Sequence, residues 1–279
     1  MNQIEVKAYQ GDHPLLLKLQ ALANSDNYSK LFLGVIVHGS LGVDEEIPYS
    51  DFDGLLIVQE DRFNGPLYRE FIAKSDRMIN QYDPLQHHGW FVIKTSQLSD
   101  YPEWYLPIEV LRHSVALFPK KDIKLEYQNK TLIDHQRSFY NLKASLERKI
   151  GSRFKPRGLF ELKSYLSEIM LLPTVYYQAT REKTIFKKYS FEEVRNDFDP
   201  DVYSIMDEVS SIRREWIRKE PFMKPLYLFL KNRRFFKNIA RPYLAPPIPK
   251  SFEEKLDRTF YNRLAILINK MDQKVNDQV

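Results

Sequence analysis

The stretch that decides the fold is Gly34-Val-Ile-Val-His-Gly-Ser-Leu-Gly-Val-Asp-Glu-Glu-Ile-Pro-Tyr-Ser-Asp-Phe-Asp-Gly-Leu-Leu-Ile-Val58. It begins within an apolar run, residues 31–37, that is typical of a buried strand, and it ends with a second apolar run, residues 55–58. The first run leads into His38-Gly39-Ser40, a small turn where backbone N–H groups and a hydroxyl can approach an anion closely. We therefore expect phosphate to bind at Gly39 and Ser40. His38 either contacts the phosphate or stabilises the turn by hydrogen bonding.

Two carboxylates stand directly before the second strand, in Asp51-Phe52-Asp53. Strand side chains alternate with a period of two, so Asp51 and Asp53 are expected on one edge and Phe52 on the opposite side. Paired carboxylates at this spacing can share magnesium, which prefers oxygen ligands. The alternative is a solvated hairpin turn, but a plain turn has no need of acids on both sides of Phe52 ahead of a buried strand. The pattern therefore predicts a metal site at Asp51 and Asp53.

The order of strand, Gly-Ser turn, Asp-apolar-Asp and strand resembles the nucleotidyltransferase superfamily that includes DNA polymerase β and the aminoglycoside nucleotidyltransferases. The resemblance covers residues 31–58 closely, and the order of elements fits to about residue 120. It implies a metal-dependent enzyme that transfers a nucleoside monophosphate, AMP from ATP, to a hydroxyl of an acceptor. It further implies that the catalytic residues Asp51 and Asp53 hold Mg²⁺, which activates the acceptor hydroxyl and clamps the triphosphate. A small molecule is the favoured acceptor, and its identity stays open.

Members of that superfamily usually carry a third acid on a later strand, and this sequence departs from the pattern. The strand expected to carry it is residues 86–93, which includes His87-His88, and no acid lies between Leu85 and Ile93. Adjacent residues on a strand face opposite ways. A neutral imidazole can bind a metal or accept a proton, so His87 and His88 are candidate catalytic residues, with at most one expected to face the cleft. Asp83 is the alternative metal ligand. A histidine would either tolerate a softer ion such as Mn²⁺ or serve the acceptor rather than the metal.

Composition limits the class of protein and the kind of metal site. The chain has 279 residues, of which 43% are hydrophobic, so it can bury a sizeable core. No apolar run is long enough to span a bilayer, and the N-terminus lacks the order of a signal peptide, so we expect a cytoplasmic protein without a membrane partner. The absence of cysteine excludes thiolate ligands. The formal charge of +5 assists binding of a nucleoside triphosphate but is modest for a nucleic-acid-binding protein.

The two halves of the chain differ in their hydrophobic patterns. The first half alternates helix-like and strand-like segments, with strands predicted at residues 31–37, 53–59 and 89–94. From about residue 131 helical patterns take over, as in the spacing of three and four between Phe252 and Met271. We predict an α/β (α+β) nucleotidyltransferase domain with a mixed sheet at residues 1–125 and an all-α helical domain at residues 126–279.

Two alternatives to an enzyme acting on a small acceptor stay open. A non-catalytic nucleotide-binding or antitoxin-like partner protein would keep the fold and lack the third ligand. An RNA-tailing or RNA-binding protein would use basic and aromatic residues such as Lys187-Lys188-Tyr189, although a solvated helix face is the favoured explanation of that segment. Nucleic acid is therefore possible as a partner but is not favoured.

Overall fold

The computed structural model describes residues 2–129, 133–231, 233 and 235–277. The chain forms two compact units, Met1–Ile133 and Asp134–Val279. No helix in these described ranges is both long and apolar enough to cross a membrane.

A mixed sheet of six strands forms the first unit, in the order β4-β3-β2-β5-β1-β6. The neighbours β3 and β4 are parallel, as are β1 and β5, whereas the other neighbouring pairs are antiparallel. This confirms the predicted mixed sheet. The strands are β1 (Asn2–Ala8), β2 (Phe32–His38), β3 (Asp53–Val58), β4 (Trp90–Lys94), β5 (Val115–Phe118) and β6 (Ile123–Tyr127).

Helices accompany the sheet of the first unit. They are α1 (Pro14–Ala23), α2 (Gly39–Gly42), α3 (Pro66–Tyr82) and α4 (Ile108–Leu111). Helix α1 begins where His13 Nδ1 accepts a hydrogen bond from the Leu16 backbone N–H, and Pro14 fits the first turn, where its missing N–H costs nothing. Its residues Leu15, Leu16 and Leu19 are buried, so this face anchors the helix.

Both faces of the sheet are covered, which explains the unbroken apolar character of β3. Leu56 and Val58 belong to the same apolar cluster as buried residues of α1 and α3. Leu55 and Ile57 point the other way, into a second cluster that includes Leu111 of α4. Each of these β3 side chains is fully buried, which contributes about 1.5–3 kcal/mol per residue. A strand buried on both faces has no polar alternation.

The described regular elements of the second unit are helices. Pro173 lies in the first turn of α7, where proline is tolerated, and it therefore separates α6 from α7. The helices are α5 (His135–Gly151), α6 (Leu159–Ile169), α7 (Leu172–Arg181), α8 (Lys187–Arg195), α9 (Pro200–Arg214), α10 (Lys224–Leu230), α11 (Lys237–Ile239), α12 (Lys250–Lys255) and α13 (Arg258–Asn276), and a π-helical turn spans Ala240–Leu244.

The last predicted helix, between Phe252 and Met271, is divided in two. Helix α12 ends at Lys255, and α13 begins after Asp257, whose carboxylate accepts a hydrogen bond of 2.8 Å from the Phe260 backbone N–H. Such an N-cap stabilises a new helix start and competes with continuation of the preceding helix. Along α13 the residues at spacings of three and four are fully buried, as the periodicity indicates: Phe260, Leu264, Leu267 and Met271.

Candidate functional site

Three strands bring the predicted site residues to one edge of the sheet. Strand β2 is antiparallel to β3, and His38 pairs with Asp53. Strand β3 is parallel to β4, and Gly54 pairs with Trp90. The carboxyl end of β2 therefore meets the amino ends of β3 and β4. Residues that follow β2 and residues that precede β3 and β4 share this edge.

The turn after β2 is tight and lies against Asp53. Gly39 has φ +69°, a left-handed conformation that glycine adopts without strain. A Cβ placed on Gly39 would lie 3.1 Å from Asp53 Oδ2, and one placed on Gly42 would lie 2.6 Å from the Val37 carbonyl oxygen. Both glycines are thus required for the chain to fold back on β2. The close approach brings the Asp53 carboxylate to the predicted phosphate turn.

His38 is buried at the end of β2 and has an unsatisfied ring nitrogen. Its side chain is 5% exposed, and Nε2 has no hydrogen-bond partner among the described residues. Burial lowers the pKa of His38; nearby Asp53 opposes this shift and His88 adds to it. The imidazole is therefore neutral at pH 7. A buried polar atom left without a partner costs about 1–3 kcal/mol, so this nitrogen favours a bound polar group at the site.

Asp51, His87 and His88 form the central cluster of the site. One ligand atom from each lies within 4.8 Å of the other two. His87 Nδ1 is 3.2 Å from Asp51 Oδ2, and the two imidazole rings are 4.1 Å apart between centroids. Both histidines turn toward Asp51, so the expectation that at most one faces the site is wrong. The strand period does not apply there because β4 begins only at Trp90.

Gln86 connects the two segments that carry the cluster. Its Oε1 accepts a hydrogen bond of 2.7 Å from the Phe52 N–H, and its Nε2 donates one of 2.6 Å to the Phe52 carbonyl. Gln86 is buried, and Phe52 is completely buried with its ring against Trp90. These bonds fix the backbone of residues 51–53 beside residues 86–88. The sequence around Gln86 has no pattern that predicts these hydrogen bonds to the backbone of Phe52.

The loop between the turn and the carboxylates is held at several points. Glu46 accepts a hydrogen bond from the Tyr82 hydroxyl, and its other oxygen lies 2.9 Å from His13 Nε2. Ser50 Oγ accepts a hydrogen bond of 3.0 Å from the Ile47 N–H, which shapes the turn before Asp51. Glu46 is thus anchored to the helical layer of the first unit.

Ser40, Asp53 and Asp83 occupy distinct positions around the cluster. Ser40 lies in the first turn of α2, and its carbonyl accepts a hydrogen bond of 2.9 Å from the Glu45 N–H. Among the described residues, the three-member ligand group does not include Asp53 or Asp83. Asp83 Oδ1 accepts a hydrogen bond of 2.9 Å from the Leu85 N–H, so this carboxylate shapes the turn after α3.

The donor atoms of the cluster decide which metals fit it. The cluster offers one carboxylate oxygen and two imidazole nitrogens as metal ligands. Mg²⁺, in contrast, is bound by oxygen ligands. Imidazole nitrogen suits transition metals such as iron, nickel and zinc. The cluster therefore fits a first-row transition-metal ion and does not fit Mg²⁺. The carboxylate of Asp53, beside the turn, is an oxygen donor outside the cluster.

Comparison with known proteins yields a distant structural likeness. No protein-family model matches the chain, and no curated protein matches it significantly. The fold resembles the crystal structure of spectinomycin adenyltransferase AAD(9) from Enterococcus faecialis with ATP and spectinomycin. The likeness covers 94% of this chain and 100% of that one, with 14% sequence identity and a TM-score of 0.45. At this identity and TM-score, it is too distant to assign a function.

Proposed function

We propose that this chain is a nucleotidyltransferase that moves AMP from ATP to a hydroxyl group of a small acceptor molecule. The observation that carries the proposal is the joint position of two features at one sheet edge. The Gly39 turn after β2 lies against Asp53. The carboxylate of Asp51, two residues earlier in the chain, lies beside His87. An anion-binding turn next to a carboxylate and imidazole cluster suits transfer of a phosphate-containing group.

The turn supports binding of the triphosphate. A left-handed residue followed by a helical turn directs successive N–H groups toward one point, which makes a concave anion site. Gly39 supplies the left-handed residue, and Ser40 adds a hydroxyl donor. The buried Nε2 of His38 lies at the same end of β2. The terminal phosphates of ATP would occupy this position.

The cluster supports the chemical step. The acceptor oxygen attacks the α-phosphorus of ATP, a new P–O bond forms, and the bond to pyrophosphate breaks. The acceptor hydroxyl must lose its proton during this step, and a neutral imidazole can accept it. His88 is the exposed member of the cluster, so an acceptor can reach it from solvent, whereas Asp51 is buried. His88 is therefore the proposed base, and Asp51 positions the imidazoles.

Transfer of labelled nucleotide tests the proposal. The protein is incubated with ATP labelled at the α-phosphate and with separate small-molecule, protein and RNA fractions of a cell extract, in the presence of divalent metal. The expected result is labelled small molecule and released pyrophosphate, both lost in Asp53→Asn. Label on RNA would support the RNA-tailing alternative instead.

The lack of an acid at the start of β4 favours one second candidate, a nucleotide-binding protein without turnover. Calorimetric titration with a non-hydrolysable ATP analogue separates the two. Binding of the analogue without transfer to any fraction would support the second candidate, and absence of binding would overturn both.

A further inference from the structure

We infer that Asp51, His87 and His88 form a binding site for a divalent first-row transition-metal ion, and that this site prefers such an ion to Mg²⁺. The inference deepens the proposed function and rests on it only for its catalytic meaning, because the cluster lies in the proposed nucleotide site. A ring nitrogen that binds an ion cannot also accept a proton, so His88 serves as the base only while the cluster holds no ion. With an ion bound, His88 would be a ligand, and the ion would supply the chemistry that lowers the pKa of the acceptor hydroxyl. Metal binding itself follows from the donor atoms and their spacing.

The spacing of the donor atoms matches a shared ion. Zinc-class ions bind imidazole nitrogen and carboxylate oxygen at about 2.0–2.2 Å. Two such ligands at tetrahedral to octahedral angles are then separated by roughly 2.8–3.6 Å, and ligands on opposite sides of an octahedron by about 4.0–4.4 Å. The 3.2 Å between His87 Nδ1 and Asp51 Oδ2 falls in the first range. The three ligand atoms all lie within 4.8 Å of one another, which is compatible with neighbouring positions and with opposite positions around one ion.

The framework holds the ligands in place before an ion arrives. Gln86 fixes the backbone on both sides of the cluster through its bonds to Phe52. Asp51 is only 9% exposed, His87 is half-buried and His88 is exposed. These three side chains would bind an ion from one side and would leave a coordination position accessible to solvent. Three protein ligands with an open position are typical of metal sites that act on a substrate.

The donor set also explains the preference among ions. Affinity of a nitrogen and oxygen site rises from Mn²⁺ to Co²⁺ in the first-row series. Mg²⁺ sheds its water reluctantly and is bound through carboxylates and phosphates. A site with two imidazoles therefore favours Co²⁺ over Mn²⁺ and both over Mg²⁺. A site built from three carboxylates would show no such nitrogen-driven order.

Metal titration of the full chain tests the inference without reliance on turnover. The protein is freed of metal with a chelator and titrated with Co²⁺, Mn²⁺ and Mg²⁺ by calorimetry, and Co²⁺ binding is also followed by its visible absorption. We expect one Co²⁺ per chain, with affinity at least about tenfold above that for Mg²⁺. Asp51→Asn, His87→Ala and His88→Ala should each lower Co²⁺ affinity at least about tenfold. His135→Ala, which changes a histidine of the second unit, should not.

The second measurement is a change in the preference of the site for Co²⁺ over Mg²⁺. His88→Asp replaces one nitrogen donor by oxygen, so it should narrow the gap between Co²⁺ and Mg²⁺ even if absolute affinities change. Equal affinity of the unmodified protein for Mg²⁺ and Co²⁺ would overturn the inference, as would wild-type Co²⁺ affinity in both His87→Ala and His88→Ala. Circular dichroism excludes unfolding of the variants. Co²⁺ binding without nucleotide transfer would refute the proposed function alone, and transfer with equal Mg²⁺ and Co²⁺ affinity would refute the metal inference alone.

Discussion

Two short segments enter neighbouring parallel strands at the same sheet edge, and they carry different chemistry. Residues 51–53 lead into β3 with two carboxylates, whereas residues 86–89 lead into β4 with two imidazoles. A carboxylate at neutral pH only accepts hydrogen bonds and attracts cations, whereas a neutral imidazole also takes up a proton. The difference separates two tasks. In the proposed reaction, the β3 segment would supply a carboxylate that attracts a divalent cation to the phosphates. The β4 segment would supply imidazole nitrogens that either accept a proton or bind a metal ion.

The largest expected effect lies in the carboxylate segment. Asp53→Asn keeps the shape of the side chain and removes its charge beside the Gly39 turn. We expect nucleotide transfer to fall by about 10³-fold, because this carboxylate would attract the divalent cation that neutralises the negative charge of the phosphates. Rates are measured by release of pyrophosphate. Asp122→Asn is the matched control, because Asp122 precedes β6, the outermost strand on the side of the sheet opposite β4. Full turnover in Asp53→Asn would show that charge in the β3 segment is not needed.

The imidazole segment should show a smaller effect of a different kind. His88→Gln removes the proton acceptor and keeps a polar side chain, so transfer should fall by about 10²-fold. Affinity for a non-hydrolysable ATP analogue should not change, because in the proposed complex the phosphates bind at the turn after β2. His135→Gln provides the control. If His87→Gln and His88→Gln both keep the wild-type rate, the β4 segment has a structural role and the comparison fails.

The connection between the segments can be broken directly. Gln86→Leu keeps a side chain of similar size but leaves the N–H and carbonyl of Phe52 without the bonds that Gln86 makes. Each buried group left unsatisfied costs about 1–3 kcal/mol, so for these two groups we expect the free energy of unfolding to fall by about 2–6 kcal/mol. Urea denaturation measures the change. Gln97→Leu is the control, because Gln97 accepts an exposed hydrogen bond from the Lys94 N–H. Equal losses in both variants would contradict a special role for Gln86.

The turn at Gly39, beside the β3 segment, gives the next smaller effect. Gly39→Ala places a Cβ at φ +69° and 3.1 Å from Asp53 Oδ2. The left-handed conformation costs about 1–2 kcal/mol in a residue with a side chain. We expect that loss in urea denaturation, with weaker binding of the ATP analogue than in Ser40→Ala. Gly151→Ala is the control, since a Cβ there meets open space. Unchanged stability and binding in Gly39→Ala would argue against the turn as a phosphate site.

The sequence shows the β3 side of the comparison more clearly than the β4 side. The strands predicted at residues 31–37, 53–59 and 89–94 correspond to β2, β3 and β4. Strands β2 and β3 are almost entirely buried, and such strands read as continuous apolar runs. Strand β1 was not predicted, although its alternation of exposed and buried residues carries a usable signal. The short strands β5 and β6 were also missed.

The cluster itself depends on contacts between distant parts of the chain. Asp51 meets His87 only because β3 and β4 pair in parallel and Gln86 holds Phe52. Neither the register of two strands nor a side chain bonded to a distant backbone has a local pattern in the sequence. The type of residue was visible in the sequence, but the orientation of both imidazoles toward one carboxylate was not.

A buried carboxylate outside the site gives the smallest and most specific test of the comparison. Glu103 is buried and accepts a hydrogen bond of 3.0 Å from the Ile108 N–H. Burial raises the pKa of Glu103, and the hydrogen bond partly opposes this shift, so the folded protein binds this proton more tightly than the unfolded chain does.

The carboxyl of Glu103 thus costs no stability below its unfolded pKa of about 4.5, and its ionisation destabilises the fold as pH rises above that value. Glu103→Gln cannot ionise, so its stability relative to wild type should improve between pH 4 and pH 7.5 in urea denaturation. The exposed Glu126→Gln should show no such trend, and nucleotide transfer should be unchanged in both. A loss of transfer in Glu103→Gln would show that charge outside the β3 and β4 segments also serves the reaction.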